Sequence, residues 1–283
     1  MTTKEIIAAF EQGARANRQN KHRRGNLIFL PAPGDVIMTG DLHGHEKNFE
    51  KLLRFADLDN YPQRHLVLHE MLHSAENTSI DQCHSYRLLA RAAQLKANFP
   101  DQVHIILGNH AIAQRCRDEV LKNGQPMVRA LNTAISFTFA EKSTLVIQAL
   151  DDFILSIPLA IRTENRIWLS HSLLSQRHIN DFDSTIFNKH LTLEDFQSNP
   201  SLRALAWDRA HTPSSLQQLK KLWDVDFFIV GHQPEPNGYS CHHQCLVVLA
   251  SEHSKGCYLP FKLHRSYSPD EFFALVKPIA ALL

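Results

Sequence analysis

Between residues 27 and 110, short apolar runs of β type alternate with stretches of helical periodicity. The runs at 27–30 and 36–40 are separated by a Pro/Gly turn, and the second stops at Gly40. From Glu46 onward, Phe49, Leu52, Leu53 and Ala56 recur at helical spacing, so 46–57 reads as an amphipathic helix packed on a sheet. The apolar run "RHLVLHE" follows. Next comes a second helix over 79–98, with Ile80, Leu88, Leu89, Ala92 and Leu95 on one face, and then "VHIILGNH", closed by Gly108. Strand, helix, strand, helix, strand is the order of a parallel sheet with helices on its faces, and handed crossovers place the strand C-termini along one edge.

The rest of the chain extends this α/β reading. Residues 1–20 form a short amphipathic helix with Thr2 and Glu5 spaced as a capping box. The middle, about 112–158, is mostly helical and includes "STLVIQALDDFILSIP", stopped by Pro158. Two β-like runs flank a turn at Thr163-Glu164-Asn165, helical stretches occupy roughly 193–223, and "VDFFIVGHQP" is a buried strand ending at Gly231. "CLVVLAS" and "CYLPFKL" pair as a hairpin, with "CHHQC" at 241–245 a loop before the first of them. With no linker, repeat or low-complexity segment, one domain over 1–283 is the economical reading.

Thirty Lys+Arg against twenty-nine Asp+Glu give a formal charge of +1, so no global field holds extended nucleic acid or an anionic membrane. The basic run "KHRRGN" at 21–26 is a solvated turn, with no interleaved aromatic residues. The five cysteines are odd in number and scattered, as in a reducing compartment. Lys4, Glu5 and Glu11 stand where a signal peptide would be apolar, and no apolar run approaches the roughly 20 residues of a membrane span. A cytoplasmic, soluble protein with no membrane partner is the expectation.

The residues just past each β-type run carry the chemistry. Asp41 and His43 follow "VIMTG", Glu70 follows "HLVLH", Asn109 and His110 follow "VHIILG", His171 follows "IWLS", and His232 follows "FFIVG". One such residue is an ordinary cap or turn residue. Five successive strand ends that carry them converge where open α/β sheets bind ligands. Carboxylates, imidazoles and one amide oxygen suit manganese, iron or zinc better than magnesium or calcium. Seven groups exceed one tetrahedral site and fit two ions about 3.5–4 Å apart, which clamp the attacking and leaving oxygens of a displacement at phosphorus.

"GDLHGH" at 40–45, Glu70, "LGNH" at 107–110, "SHS" at 170–172 and "GHQP" at 231–234 resemble, in order and spacing, the motifs of the calcineurin-like metallophosphoesterases, the family of serine/threonine phosphatase-like enzymes. The resemblance implies a four-layer α-β-β-α sandwich and two divalent or mixed-valence ions of manganese, iron or zinc. Asp41 and His43 would hold the first ion, Asn109, His171 and His232 the second, and Glu70 both. His110 would give a proton to the leaving group of a phosphorylated substrate, after in-line attack by a hydroxide bridging the ions.

His69-Glu70-Met71-Leu72-His73 also spells H-E-x-x-H, the signature of a zinc protease. That reading needs the segment on a helix and a third ligand downstream, whereas Glu70 falls where the resemblance expects the bridging aspartate.

The chain departs from the family at this same place. His69 replaces a glycine, Glu70 the bridging aspartate, His73 the aspartate that orients the catalytic histidine, and Ser74 an arginine that grips phosphate. Ala111 stands where an acidic residue is common. Glu76 or Asp81 are candidates to orient His110, and Arg115, Arg117 or Arg209 to reach phosphate. Metal binding is therefore the firmer expectation. The alternative is a weakly active or non-catalytic member that binds a phosphorylated partner. His65, His84, His104, His190 and His264 sit in no constellation.

Overall fold

The computed structural model describes residues 1–74 and 83–283, whose strands form two principal sheets. In the five-stranded sheet, Asp35–Asp41, Arg64–His69 and Val103–Ile106 run parallel. Cys257–Lys262 lies antiparallel beside Asp35–Asp41, with Lys277–Pro278 at its outer edge. Residues 36–38, 66–68 and 103–106 are buried without alternation, since helices and the second sheet cover both faces. The seven-stranded sheet runs Arg23–Arg24, Leu27–Leu30, Ala160–Thr163, Ile167–Ser170, Phe227–Val230, Leu246–Leu249, Tyr239–His242. The result is the expected α-β-β-α sandwich.

The two sheets meet at one point that positions everything else. Asp41 forms a parallel bridge with Ala250, and Ser251 donates its backbone N–H to the Asp41 carbonyl at 3.0 Å. A Cβ at Gly40 would lie 2.1 Å from the Leu249 carbonyl oxygen, so only glycine permits this approach. The carboxyl ends of strands from both sheets are thereby brought to one edge.

Helix Thr3–Arg18 begins with the expected capping box and packs on Tyr86–Asn98 and Ser143–Ser156, where Asn17 donates to Ser156 Oγ at 2.9 Å. Helix Glu46–Ala56 buries Phe49, Leu52 and Ala56, as its periodicity requires. The helix expected over 79–98 is seen from Tyr86 to Asn98, and 79–82 lie outside the described residues.

The site strands divide between the two sheets of the sandwich. Two expectations are corrected. "CLVVLAS" and "CYLPFKL" do not form a hairpin, for Leu246–Leu249 joins the seven-stranded sheet and Cys257–Lys262 the five-stranded one. The hairpin partner of Leu246–Leu249 is Tyr239–His242, so "CHHQC" is a strand end and turn, with His243 and Gln244 at φ +52° and +57°. In agreement with the sequence reading against a zinc protease, His69 ends a strand and 70–73 are not helical. Among the described residues no helix is long and apolar enough to cross a membrane.

Candidate metal centre

Asp41 with His43, Glu70, and Asn109 with His110 stand at or just past the carboxyl ends of three neighbouring strands of the five-stranded sheet. His171 and His232 follow two neighbouring strands of the seven-stranded sheet. The bridge at Asp41 joins the two rows, and all of these residues but His110 are buried. His43 and His232 hold φ values of +39° and +68°, a left-handed backbone that costs non-glycine residues about 1–3 kcal/mol each and concentrates at functional sites.

Three potential ligand atoms form a tight triangle. His171 Nε2 lies 2.8 Å from Asn109 Oδ1 and 3.0 Å from His232 Nδ1, and the third edge, His232 Nδ1 to Asn109 Oδ1, is 3.2 Å. His43 donates its Nδ1–H to the Leu72 carbonyl at 2.7 Å, which leaves Nε2 bare and 3.7 Å from Asp41 Oδ2. A histidine that ligates a metal commonly donates its other ring N–H in this way. Asp41 Oδ1 and His171 Nδ1 are buried without hydrogen-bond partners. Bare acceptors turned toward one another, with buried polar atoms left over, are the chemistry a cation would satisfy, so this donor set fits the implied metals. Among the described residues, no three His, Cys, Asp or Glu side chains are already gathered in ligating geometry, and the third corner of the triangle is an amide oxygen.

Glu70 serves two elements at once. Its Oε2 accepts from the His110 backbone N–H at 2.9 Å, at the start of helix Asn109–Cys116, where the N-cap is Gly108 and has no side chain. A Cβ on Gly108 would lie 2.1 Å from that oxygen, and one on Gly231 would lie 2.3 Å from Asp41 Oδ1. Burial, then neighbouring Asp41, pushes the Glu70 carboxyl up to about 8. Burial, then Glu252, pushes Asp41 up to about 7. Burial holds His43, His171 and His232 below the usual imidazole range, so they are neutral, the form that ligates a metal.

His110 is hydrogen-bonded to His73, with their Nδ1 atoms 2.8 Å apart. Glu76 and Asp81, the other candidates for orienting His110, lie outside the described residues.

The cations differ from expectation. Arg115 faces Asp151 at 3.9 Å, and Arg117 pairs with the same carboxylate at 2.7 Å, so both are turned to helix Ser143–Ser156 rather than to the cluster. Arg209 does reach it, with Nε 3.0 Å from His232 Nε2. That nitrogen also stands 3.2 Å from the Trp207 carbonyl, and it either donates to the carbonyl or accepts from Arg209. Lys122 and Glu252 were not anticipated. Lys122 Nζ donates to Glu252 Oε2 at 2.7 Å, and the same oxygen is 3.9 Å from His43 Nε2. The Asn123-Gly124 pair marks the turn that carries Lys122, but nothing in the sequence says where its side chain points.

A two-sheet sandwich whose sheet ends bring carboxylates, imidazoles and an asparagine to one edge is the architecture of the metallophosphoesterases. The calcineurin-like phosphoesterase family matches residues 34–236, and the chain belongs to that family. A protein serine/threonine phosphatase from Saccharomyces cerevisiae with similarity to human phosphatase PP5 has the same fold (TM-score 0.67, 13% identity, 99% of this chain and 94% of that one covered). So does a cold-active protein-tyrosine phosphatase from a psychrophilic Shewanella species (TM-score 0.60, 14% identity, 88% of this chain and 79% of that one). Comparison with curated proteins finds no match.

Proposed function

We propose that this chain is a dinuclear metal-dependent phosphoesterase that hydrolyses a phosphomonoester, carried by a phosphoprotein or by a small phosphorylated metabolite or nucleotide. The triangle of Asn109 Oδ1, His171 Nε2 and His232 Nδ1 carries the reading. In it, Asn109, His171 and His232 hold one ion, Asp41 and His43 another, and Glu70 both. Such a pair of manganese, iron or zinc ions, when bound, supplies Lewis acidity and activates water for in-line displacement at phosphorus.

The chain's own groups do the rest. With His232 Nδ1 turned to the triangle, Nε2 keeps its proton and donates to Trp207, and Arg209 loses its acceptor there. Its guanidinium is then free to take phosphoryl oxygens, and Lys122 supplies a second positive charge near the site. His110, whose Nδ1 is engaged by His73, gives a proton from Nε2 to the departing oxygen.

His110→Asn tests this assignment. Turnover of a chromogenic phosphomonoester is expected to fall by about 10²-fold or more, with metal content unchanged. Loss of metal would make His110 a ligand instead, and unchanged turnover would remove it from the chemistry. Ser74, standing where the resemblance expects an arginine, favours a second reading, a member that binds a phosphorylated partner without cleaving it. Bound metal with only background hydrolysis across a broad phosphoester panel would select that reading.

A further inference from the structure

We infer that Gln114, acting through His73, is the positioning group for His110, an inference that rests on the reading of His110 as the proton carrier. Three side-chain hydrogen bonds run in series inward from Asn132. Gln114 Nε2 donates to Asn132 Oδ1 at 2.8 Å, which turns Gln114 Oε1 toward His73. That oxygen accepts from His73 Nε2 at 3.1 Å. With its proton on Nε2, His73 has a bare Nδ1, which accepts from His110 Nδ1 at 2.8 Å.

The direction of the series matters for the chemistry. A histidine that donates a proton from Nε2 alternates between a doubly protonated ring and one that keeps only the Nδ1 proton. In both forms Nδ1–H needs an acceptor, and His73 Nδ1 provides it. The proton leaves Nε2 for the substrate oxygen, while every other proton in the series stays where it was. The reversed polarity, with Nδ1–H on His73, would set two N–H groups against each other whenever His110 is doubly protonated.

The surroundings hold the series in place. His73 and Gln114 are fully buried, so a lost partner leaves a buried polar atom unsatisfied. His73 adopts φ +62°, a conformation that a non-glycine residue keeps only when its surroundings enforce it. Its backbone N–H donates to Ser85 Oγ at 2.8 Å. Asn132 lines a groove of about 670 Å³ with Arg117, Glu119 and Arg129, so the outer end of the series is reached from that groove.

Histidine-selective ¹⁵N NMR on the full chain tests the proposal directly, together with kinetics and metal content of Gln114→Leu, Gln114→Glu and Asn132→Leu. The expected spectra place the neutral-ring proton on Nε2 of His73 and on Nδ1 of His110. Gln114→Leu is expected to mix the His73 tautomers and lower kcat by about tenfold or more. KM and metal content stay near wild type, and Gln114→Glu, which keeps the acceptor, recovers most of the loss. Asn132→Leu, further from the core, gives a smaller loss of the same kind and serves if Gln114→Leu does not fold. The opposite tautomers in the wild-type protein, or unchanged kcat in folded Gln114→Leu, would overturn the proposal. If the wild-type protein hydrolyses no phosphoester, the proposed function fails, and the tautomers alone then decide the relay.

Discussion

Asp41 Oδ1 and His171 Nδ1 face each other across 3.6 Å, and neither has a hydrogen-bond partner. The two residues come from different sheets, and their approach depends on the bridge between Asp41 and Ala250. With Nδ1–H of His171 directed at the carboxylate, its Nε2 is bare toward Asn109 and His232, the arrangement in which a carboxylate orients a ligating histidine.

At the proposed metal centre, metal and protons are expected to compete for the same carboxylates. The Asp41 and Glu70 carboxyls are raised from the ordinary carboxylate range to about 7 and about 8. The unfolded chain therefore gives up these protons first, and between the unfolded and folded values the native state holds more protons than the unfolded chain. Stability of the metal-free protein contributed by the pair is present below the unfolded values and is lost as pH rises toward the folded ones. A bound cation displaces the protons and removes the loss. The stabilisation on adding manganese, read as an increase in melting temperature, is thus predicted to be larger at pH 8 than at pH 6, the free-energy difference amounting to up to about 1.4 kcal/mol per group per pH unit. An equal or smaller increase at pH 8 would contradict this.

The glycines that seat the carboxylates give a second prediction. At Gly108 a Cβ would meet Glu70 Oε2 at 2.1 Å. Gly108→Ala is expected to cost about 1–3 kcal/mol in urea unfolding and to reduce bound metal. Gly124→Ala places its methyl in open space at φ +76°, and it is expected to keep its metal while losing about 1 kcal/mol to backbone strain. Equal metal content in the two variants would contradict the role given to Glu70.

Arg209 and Lys122 are predicted to bind substrate rather than metal. Arg209→Ala and Lys122→Ala should each raise KM for a phosphomonoester by about tenfold, with bound metal retained and kcat less affected. Steady-state kinetics and elemental analysis separate these effects. A large loss of metal in Lys122→Ala would instead mean that the Lys122–Glu252 pair supports the ion beside His43.

Much of this site is local in the sequence and so is legible there. A glycine or serine at a strand end followed by a ligand-type side chain is a short-range pattern, and it marks Asp41, His43, Asn109, His110, His171 and His232, while Glu70 follows His69 and is legible from its place at the end of an apolar run. The division into two sheets is not local. A strand buried on both faces looks the same in either sheet, and its neighbours are chosen by tertiary packing, so the sequence offers Leu246–Leu249 and Cys257–Lys262 as partners although they lie in different sheets. Side-chain direction is equally hidden. Arg115 and Arg209 are equally plausible by residue type, yet Asp151 faces one and His232 engages the other. The place of His73 beside His110 was readable as a departure, but its link to Gln114 depends on residues of helix Asn109–Cys116 facing the loop after His69.

The decisive experiment is elemental analysis of protein purified without added metal, paired with hydrolysis of a chromogenic phosphomonoester and phosphodiester in manganese. About two metal ions per chain and turnover of the monoester are expected. Protein that binds no metal under any of these conditions would contradict the dinuclear centre on which the proposed chemistry depends.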